Sequence, residues 1–131
     1  MNLVHVYSLR EDGEKNVARN FKVREFACKD GSDVVFIDIF LPWLLQNVRD
    51  RFNKRVLITS AYRTPAYNAK TNGSATSKHM YGCAADFVVE GVNAKDVQAY
   101  LETVIPNTGG IGKANSYTHV DTRTIKARWT Y

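Results

Sequence analysis

Apolar residues recur at the period of an α-helix in one clear stretch. Leu41, Leu44, Leu45, Val48 and Phe52 stand at i, i+3, i+4, i+7 and i+11, which puts them in one stripe on a helix. This predicts the core helix, with Asp38 placed to cap it and Pro42 tolerated in its first turn. Before it, Asp30-Gly31-Ser32-Asp33 is a turn cluster, and Val34-Val35-Phe36-Ile37 reads as a strand or an extended lead-in. After it, Val56-Leu57-Ile58-Thr59-Ser60-Ala61 is a β-rich run of the kind buried centrally in a sheet. Thr64-Pro65 then opens a short helix to about Lys70, broken at Asn72-Gly73-Ser74.

Cys83 to Val89 predicts a further strand. Asn93 is placed to cap a helix carrying Val97, Tyr100, Leu101 and Val104, which the stretch Pro106 to Gly110 stops. Strands around Ile111 and from Tyr117 to Arg123 complete the sheet. In the first twenty residues Leu3, Val4 and Val6 suit a short edge strand, whereas Arg10 to Asn20 is mostly polar and predicts a surface-covering or fraying extension. Strands and helices mix without strict βαβ alternation, so the pattern predicts an α+β fold with a mainly antiparallel sheet flanked by helices.

Composition narrows this. With 131 residues, no repeat and no Pro-, Gly- or Ser-rich linker, the chain reads as one domain over 1–131, with 1–20 peripheral. Its 44% apolar and 24% charged residues suffice for a core. The net charge of +5 favours polyanionic surroundings. Lys15, Arg24, Lys54, Arg55, Lys70 and Arg128 are nevertheless scattered rather than gathered in a stripe with interleaved aromatics, so no nucleic-acid partner is expected. No run is long enough to span a membrane, and the start Met1-Asn2-Leu3-Val4-His5 lacks the order of a secretory signal, which predicts a product that is cytoplasmic as synthesised. Cys28 and Cys83 read as reduced, buried small residues, with a bridge between them as the alternative. A monomer is expected.

Candidate chemistry sits at the histidines. There are three, and two lie near carboxylates among small residues: Ser77-Lys78-His79-Met80-Tyr81-Gly82-Cys83-Ala84-Ala85-Asp86 and Thr118-His119-Val120-Asp121. Two imidazoles and a carboxylate suit Zn²⁺, and a catalytic zinc takes three protein ligands with a fourth position open, so His79, Asp86 and His119 form a candidate set. On a strand, Gly82, Ala84 and Asp86 share a face, and the two small residues would keep it low for a metal to approach. His119 and Asp121 share a face as well, so Asp121 could reach a water on the metal or hold an imidazole N–H. Spacing alone leaves zinc ligation and ordinary hydrogen-bonded pairs both open.

The motif Ser77-x-His79-x-x-Gly82-x-Ala84-x-Asp86, followed by a strand bearing His119, resembles the zinc D-Ala-D-Ala carboxypeptidase family, relatives of lysostaphin-type and Hedgehog zinc domains. Ser60-Ala61-Tyr62-Arg63-Thr64-Pro65-x-Tyr67-Asn68 and Gly109-Gly110-Ile111-Gly112 are similar to flanking segments of that family, and the likeness runs from about Asn20 to Trp129. It implies a Hedgehog/D-Ala-D-Ala-peptidase-like fold of a small bacterial or phage-type member, with zinc on His79, Asp86 and His119. It also implies Arg63 facing a substrate carboxylate, and hydrolysis of a D-Ala-containing peptidoglycan stem-peptide or cross-link bond. An L-Ala-D-Glu endopeptidase and a non-catalytic zinc-containing wall-binding domain are the alternatives. One position departs from the pattern. Many members carry a general-base Glu or Asp three residues before the second histidine, where this chain has Ser116; Asp121 is the substitute base. Ser77, Tyr62 and Tyr81 are expected to hydrogen-bond substrate. The tail Trp129-Thr130-Tyr131 either lines the cleft or anchors on the sheet. Action on a wall without a signal suggests release at phage lysis or another export route.

Overall fold

A computed structural model describes residues 3–131. Strand β1 (Val4–Ser8) pairs antiparallel with β4 (Val34–Asp38), forming a two-stranded ribbon. Between them lie the one-turn helix α1 (Leu9–Asp12) and a small pair of β2 (Asn16–Ala18) with β3 (Phe21–Lys22). Of the two outcomes expected for Arg10 to Asn20, the segment covers the surface and is folded rather than frayed. Its polar residues answer one another: the Ser8 hydroxyl accepts from the Glu11 N–H, and the Asp33 carboxylate accepts from the Ser8 hydroxyl and the Arg10 N–H. Polarity here reflects capped turns, not lack of order.

The main sheet contains β5 (Val56–Ser60), β6 (Ala84–Val89), β7 (Gly110–Lys113), β8 (Thr118–Asp121) and β9 (Ala127–Thr130), in the spatial order β5-β6-β8-β7-β9. Every neighbouring pair is antiparallel except β7 with β9, which is parallel. The expected α+β architecture is thus present, with two corrections. Strand β5 is an edge strand rather than a central one, and its burial alternates: Val56 and Ile58 point inward while Leu57 and Thr59 face out. The fifth strand, β9, has no matching apolar run in the sequence, because only a neighbouring strand makes Ala127-Arg128-Trp129-Thr130 extended.

Helices α2 (Phe40–Phe52) and α4 (Ala94–Val104) cover one face of this sheet. Leu41, Leu44, Leu45 and Val48 of α2 and Val97 and Leu101 of α4 join Ile58, Ala85, Phe87, Ile111 and Val120 of the strands in a single core. Each Val, Leu, Ile or Phe side chain among them contributes about 1.5–3 kcal/mol when fully buried. Asp38 does bond the first turn of α2: one oxygen accepts the Phe40 N–H at 3.0 Å, and the other accepts the Thr122 hydroxyl at 2.7 Å, tying β4 to the end of β8. Asn93 occupies the cap position of α4, but its side chain makes no capping bond. In α3 (Pro65–Lys70) the Thr64 hydroxyl caps the helix by accepting the Tyr67 N–H. Cys28 and Cys83 are buried and free. No helix among the described residues is long and apolar enough to cross a membrane.

The opposite face of the sheet carries a row of residues in register across all five strands. Ser60 pairs with Asp86, Asp86 with His119, His119 with Gly112, and Gly112 with Trp129. Paired residues point to the same side, so this row lies across the open face.

Candidate functional site

His79 reaches this row from a 3-10 turn over Lys78–Tyr81. The Ser77 hydroxyl caps the turn by accepting the His79 N–H at 3.3 Å, and Gly82 closes it in the left-handed region at φ 74°. A side chain on Gly82 would strike the Phe36 carbonyl. Gly82 therefore lies before β6 and does not form a low wall beside Asp86 as its spacing suggested; its smallness serves the turn and the approach of β4. The His79 ring is buried, and its Nδ1–H donates to the Ala61 carbonyl at 2.7 Å. A carbonyl only accepts, so Nδ1 carries a proton; Nε2 lies 3.4 Å from Asp86 Oδ2, where it donates to that carboxylate when protonated and offers its lone pair to a metal when not.

His119 has a carboxylate at each ring nitrogen. Nδ1 lies 2.8 Å from Asp86 Oδ1, and Nε2 lies 2.9 Å from Asp121 Oδ2. The two imidazoles stand 5.2 Å apart between centroids and nearly perpendicular, at 72°. Electrostatics follow from this packing. Burial alone would push the Asp86 carboxyl up, but hydrogen bonds from His119 and His79 outweigh it and hold the group well below the usual carboxylate range. Burial would push the His119 imidazole down, yet Asp121 and Asp86 together raise it. As a metal-free imidazolium His119 donates to both carboxylates; losing the Nδ1 proton frees a lone pair aimed at the same space as His79 Nε2.

Asp121 is placed behind His119, not in the cleft. It is fully buried and accepts Nε2–H from His119, while Arg123 donates to it from Nε and Nη2 at 2.8 Å each. Burial works to raise its pKa, but the His119 and Arg123 hydrogen bonds prevail and lower it. A carboxylate held so acidic, and shielded by an imidazole, is poorly matched to proton abstraction near neutral pH. Its geometry is that of a group that fixes the tautomer and tilt of His119, the second of the two roles that its spacing left open. Gly110 and Ala84 stand opposite Asp121 on β7 and β6, and a side chain on Gly110 would collide with its carboxylate. Ser116 is exposed in the loop between β7 and β8 and does not line the cleft.

Around the His79–Asp86–His119 cluster runs an open groove. Arg63 lies on one flank, its Nε donating to Ser60 Oγ at 3.1 Å, its Nη1 to Asn68 Oδ1 at 3.3 Å, and its Nη2 lying 3.7 Å from Asp86. Ser77 sits on the same rim. Two expected substrate contacts are elsewhere. Tyr62 is buried with its ring 4.9 Å from that of Phe36, and Tyr81 is 54% exposed, outside the groove, with the Lys78 ammonium 5.8 Å above its ring. Residues that the sequence reading did not single out for the site complete the groove: Tyr117 just before the strand carrying His119, and Asn72, Ser74 and Thr76 in the loop after α3. Asn68, almost wholly buried, holds this loop by donating to the Ser74 carbonyl at 2.8 Å. Of the two roles open to the aromatic tail, both are real, since Trp129 sits in β9 and, with Tyr131, lines the groove.

The donor set fits zinc. One ligand atom from each of His79, Asp86 and His119 lies within 4.8 Å of the others, and the groove leaves one side open. Each imidazole is fixed through its other nitrogen, by a carbonyl or a carboxylate, as metal-ligating histidines are. The comparisons agree with this chemistry. No curated protein matches the chain. The sequence model of the family described as Peptidase M15 matches residues 19–121, well over half of the chain and including all three donors. The chain therefore belongs to the Peptidase M15 family of zinc-dependent metallopeptidases, the zinc D-Ala-D-Ala carboxypeptidase family.

Proposed function

We propose that this zinc metallopeptidase hydrolyses a D-Ala-containing bond of the peptidoglycan stem peptide or its cross-link, with His79 Nε2, an Asp86 oxygen and His119 Nδ1 holding the metal. The observation that carries the reading is the convergence of these three donors on the floor of an open groove, with Arg63 beside Asp86. When bound, zinc polarises a carbonyl and lowers the pKa of water.

The chain's own residues do the rest. The Ala61 carbonyl and Asp121 keep each imidazole in the tautomer that presents a lone pair to the shared space. Arg63 is steadied by Ser60 and Asn68, so its planar fork is preorganised for a carboxylate of the substrate. With the carboxylate on Arg63, the scissile carbonyl falls over the row Asp86–His119. The Ser77 hydroxyl stands at the rim, where it can bond the peptide backbone. Asp86 is the one acidic residue lining the groove among the described residues, which favours substrates bearing negative charge over cationic ones only through Arg63, Lys78 and Arg123.

Metal analysis and mass spectrometry of muropeptide digests test this together. About one zinc per chain and loss of a terminal or cross-linking D-Ala mass are expected, and His79→Ala and His119→Ala should abolish both. Zinc retained by both variants refutes the ligand assignment. Fragments cut between L-Ala and D-Glu, with D-Ala bonds intact, refute the choice of bond.

A further inference from the structure

We propose that Arg123 is a positioning residue for the metal site: it acts through Asp121 on the orientation of His119, so that zinc affinity depends on a guanidinium that bonds none of the three donors. This rests on His119 being a zinc ligand, as proposed above.

The two imidazoles are fixed in different ways. His79 Nδ1–H donates to the Ala61 carbonyl at 2.7 Å, a backbone group that the chain itself keeps in place. His119 Nε2 instead meets a side chain, the Asp121 carboxylate, at 2.9 Å. The torsion that turns an Asp carboxylate is broad and does not by itself decide where the oxygens face. A second partner has to hold Asp121, and besides His119 one residue bonds its carboxylate. Arg123 donates from Nε to Oδ1 and from Nη2 to Oδ2, each at 2.8 Å, and from its backbone N–H to Oδ1 at 3.2 Å. A planar fork of this kind aligns the carboxylate with its own plane. Asp121 is fully buried, so water does not stand in for any of these donors.

Arg123 is held in turn. Its guanidinium lies 5.3 Å from the centre of the Trp129 ring, and the same indole comes within 5.1 Å of the His119 ring. Trp129 reaches this place because β7 has Gly112 there: a Cβ would lie 2.7 Å from the indole nitrogen. His119 and Arg123 therefore share two supports, the carboxylate between them and the indole beside both. The Arg123 side chain is 29% exposed and its carboxylate partner is not exposed at all, which sets the pair apart from the surface ion pairs that contribute little. Arg123 and Trp129 both lie outside residues 19–121, so this brace is additional to the segment that the family match covers. Arg123 also lines the groove, where contact with substrate is the rival role. Support of His119 changes zinc affinity, whereas a substrate contact changes KM.

The test is competition for zinc against a chelator of known affinity, on the full chain. Arg123→Met should bind zinc about tenfold more weakly, and Arg123→Lys, which keeps the charge without the fork, should recover part of the loss. The decisive variant is Arg123→Met combined with Asp121→Asn, which leaves no unpaired charge buried and so keeps its fold where Arg123→Met alone does not. With the guanidinium gone, the amide oxygen is free to turn to His119, so the double variant should bind zinc no more weakly than Asp121→Asn alone. A contribution independent of Asp121 would instead make the two losses multiply. Multiplied losses overturn the proposal. So does wild-type zinc affinity in the arginine variants, whether their unfolding midpoint falls, as for a merely structural pair, or their KM rises, as for a substrate contact. Unchanged zinc affinity in His119→Ala refutes the ligand assignment on which the brace rests.

Discussion

Asp121→Asn separates an orienting group from a proton acceptor. In the wild type one carboxylate oxygen accepts from His119 Nε2 at 2.9 Å and Arg123 Nη2 at 2.8 Å, and the other accepts from Arg123 Nε at 2.8 Å and the Arg123 N–H at 3.2 Å. All four partners are donors. An amide of the same size keeps one acceptor and turns the other into a donor, so one side must be lost. If the amide oxygen faces Arg123 Nε, the NH₂ faces His119 and favours the tautomer protonated at Nδ1, which has no lone pair for a metal. If the oxygen faces His119, the NH₂ opposes the guanidinium.

Loss of such an outer partner costs roughly 10–100-fold in metal affinity, or about 1.4–2.8 kcal/mol. A general base would instead cost about 10²–10⁴ in turnover with metal in place. Competition against a chelator of known affinity measures the first quantity, and muropeptide turnover at saturating zinc measures the second. We expect zinc binding to weaken by 10–100-fold and turnover to return to within a few-fold of wild type once zinc saturates. Wild-type zinc affinity with turnover still down a hundredfold or more would refute the reasoning and return Asp121 to the reacting atoms.

Three further outcomes follow from the same geometry. Gly110→Ala places a methyl against the buried Asp121 carboxylate, 2.6 Å from Cγ, and should lower stability by about 1–3 kcal/mol in denaturant unfolding; an unchanged midpoint would mean β7 can shift. Arg63→Lys keeps the charge but loses the fork steadied by Ser60 and Asn68. It should raise KM by about 10–100-fold for peptides ending in a free carboxylate, with little effect when that carboxylate is amidated. In metal-free protein, Asp86 and Asp121 are lowered, so their stabilisation is present above about pH 4 and is lost as pH falls through their folded values. His119 is raised, so its contribution is full below about pH 6.5 and is lost as pH rises through its folded value. The chelated protein should therefore melt highest between about pH 4 and 6.5. Zinc-loaded protein should gain stability above that window, because the proton on Nδ1 no longer competes; thermal scans with and without chelator check both limbs.

The helical stripe of α2, the capped start of α3 and the strand carrying Asp86 were legible because each is written in local periodicity or a local cap. The three donors were legible as a set because the chain has only three histidines and two of them stand near carboxylates among small residues. What the sequence hid depends on partners distant along it. Strand β5 has the composition of a buried strand, yet nothing local reveals that no strand lies beyond it. Strand β9 exists only by pairing with β7. Asp121 looked free to face the groove, and only the Arg123 guanidinium, two residues on, turns it into a buried ion pair. Tyr62 was drawn to the site by its neighbour Arg63, whereas successive residues of an extended segment point opposite ways, and Tyr62 takes the core side.

The cross-strand row from Ser60 to Trp129 makes the catalytic geometry a property of alignment rather than of any single segment. Apart from the connection before β6, whose turn carries His79, loops can gain or lose residues without moving a donor, because none of the five positions is in a loop. A single residue inserted within β6 or β8 is different in kind: it inverts that strand's faces, sends Asp86 or His119 into the hydrocarbon interior and brings Ala85 or Val120 out in its place. Length variation among natural and engineered versions of this chain should accordingly concentrate between strands and be excluded within them.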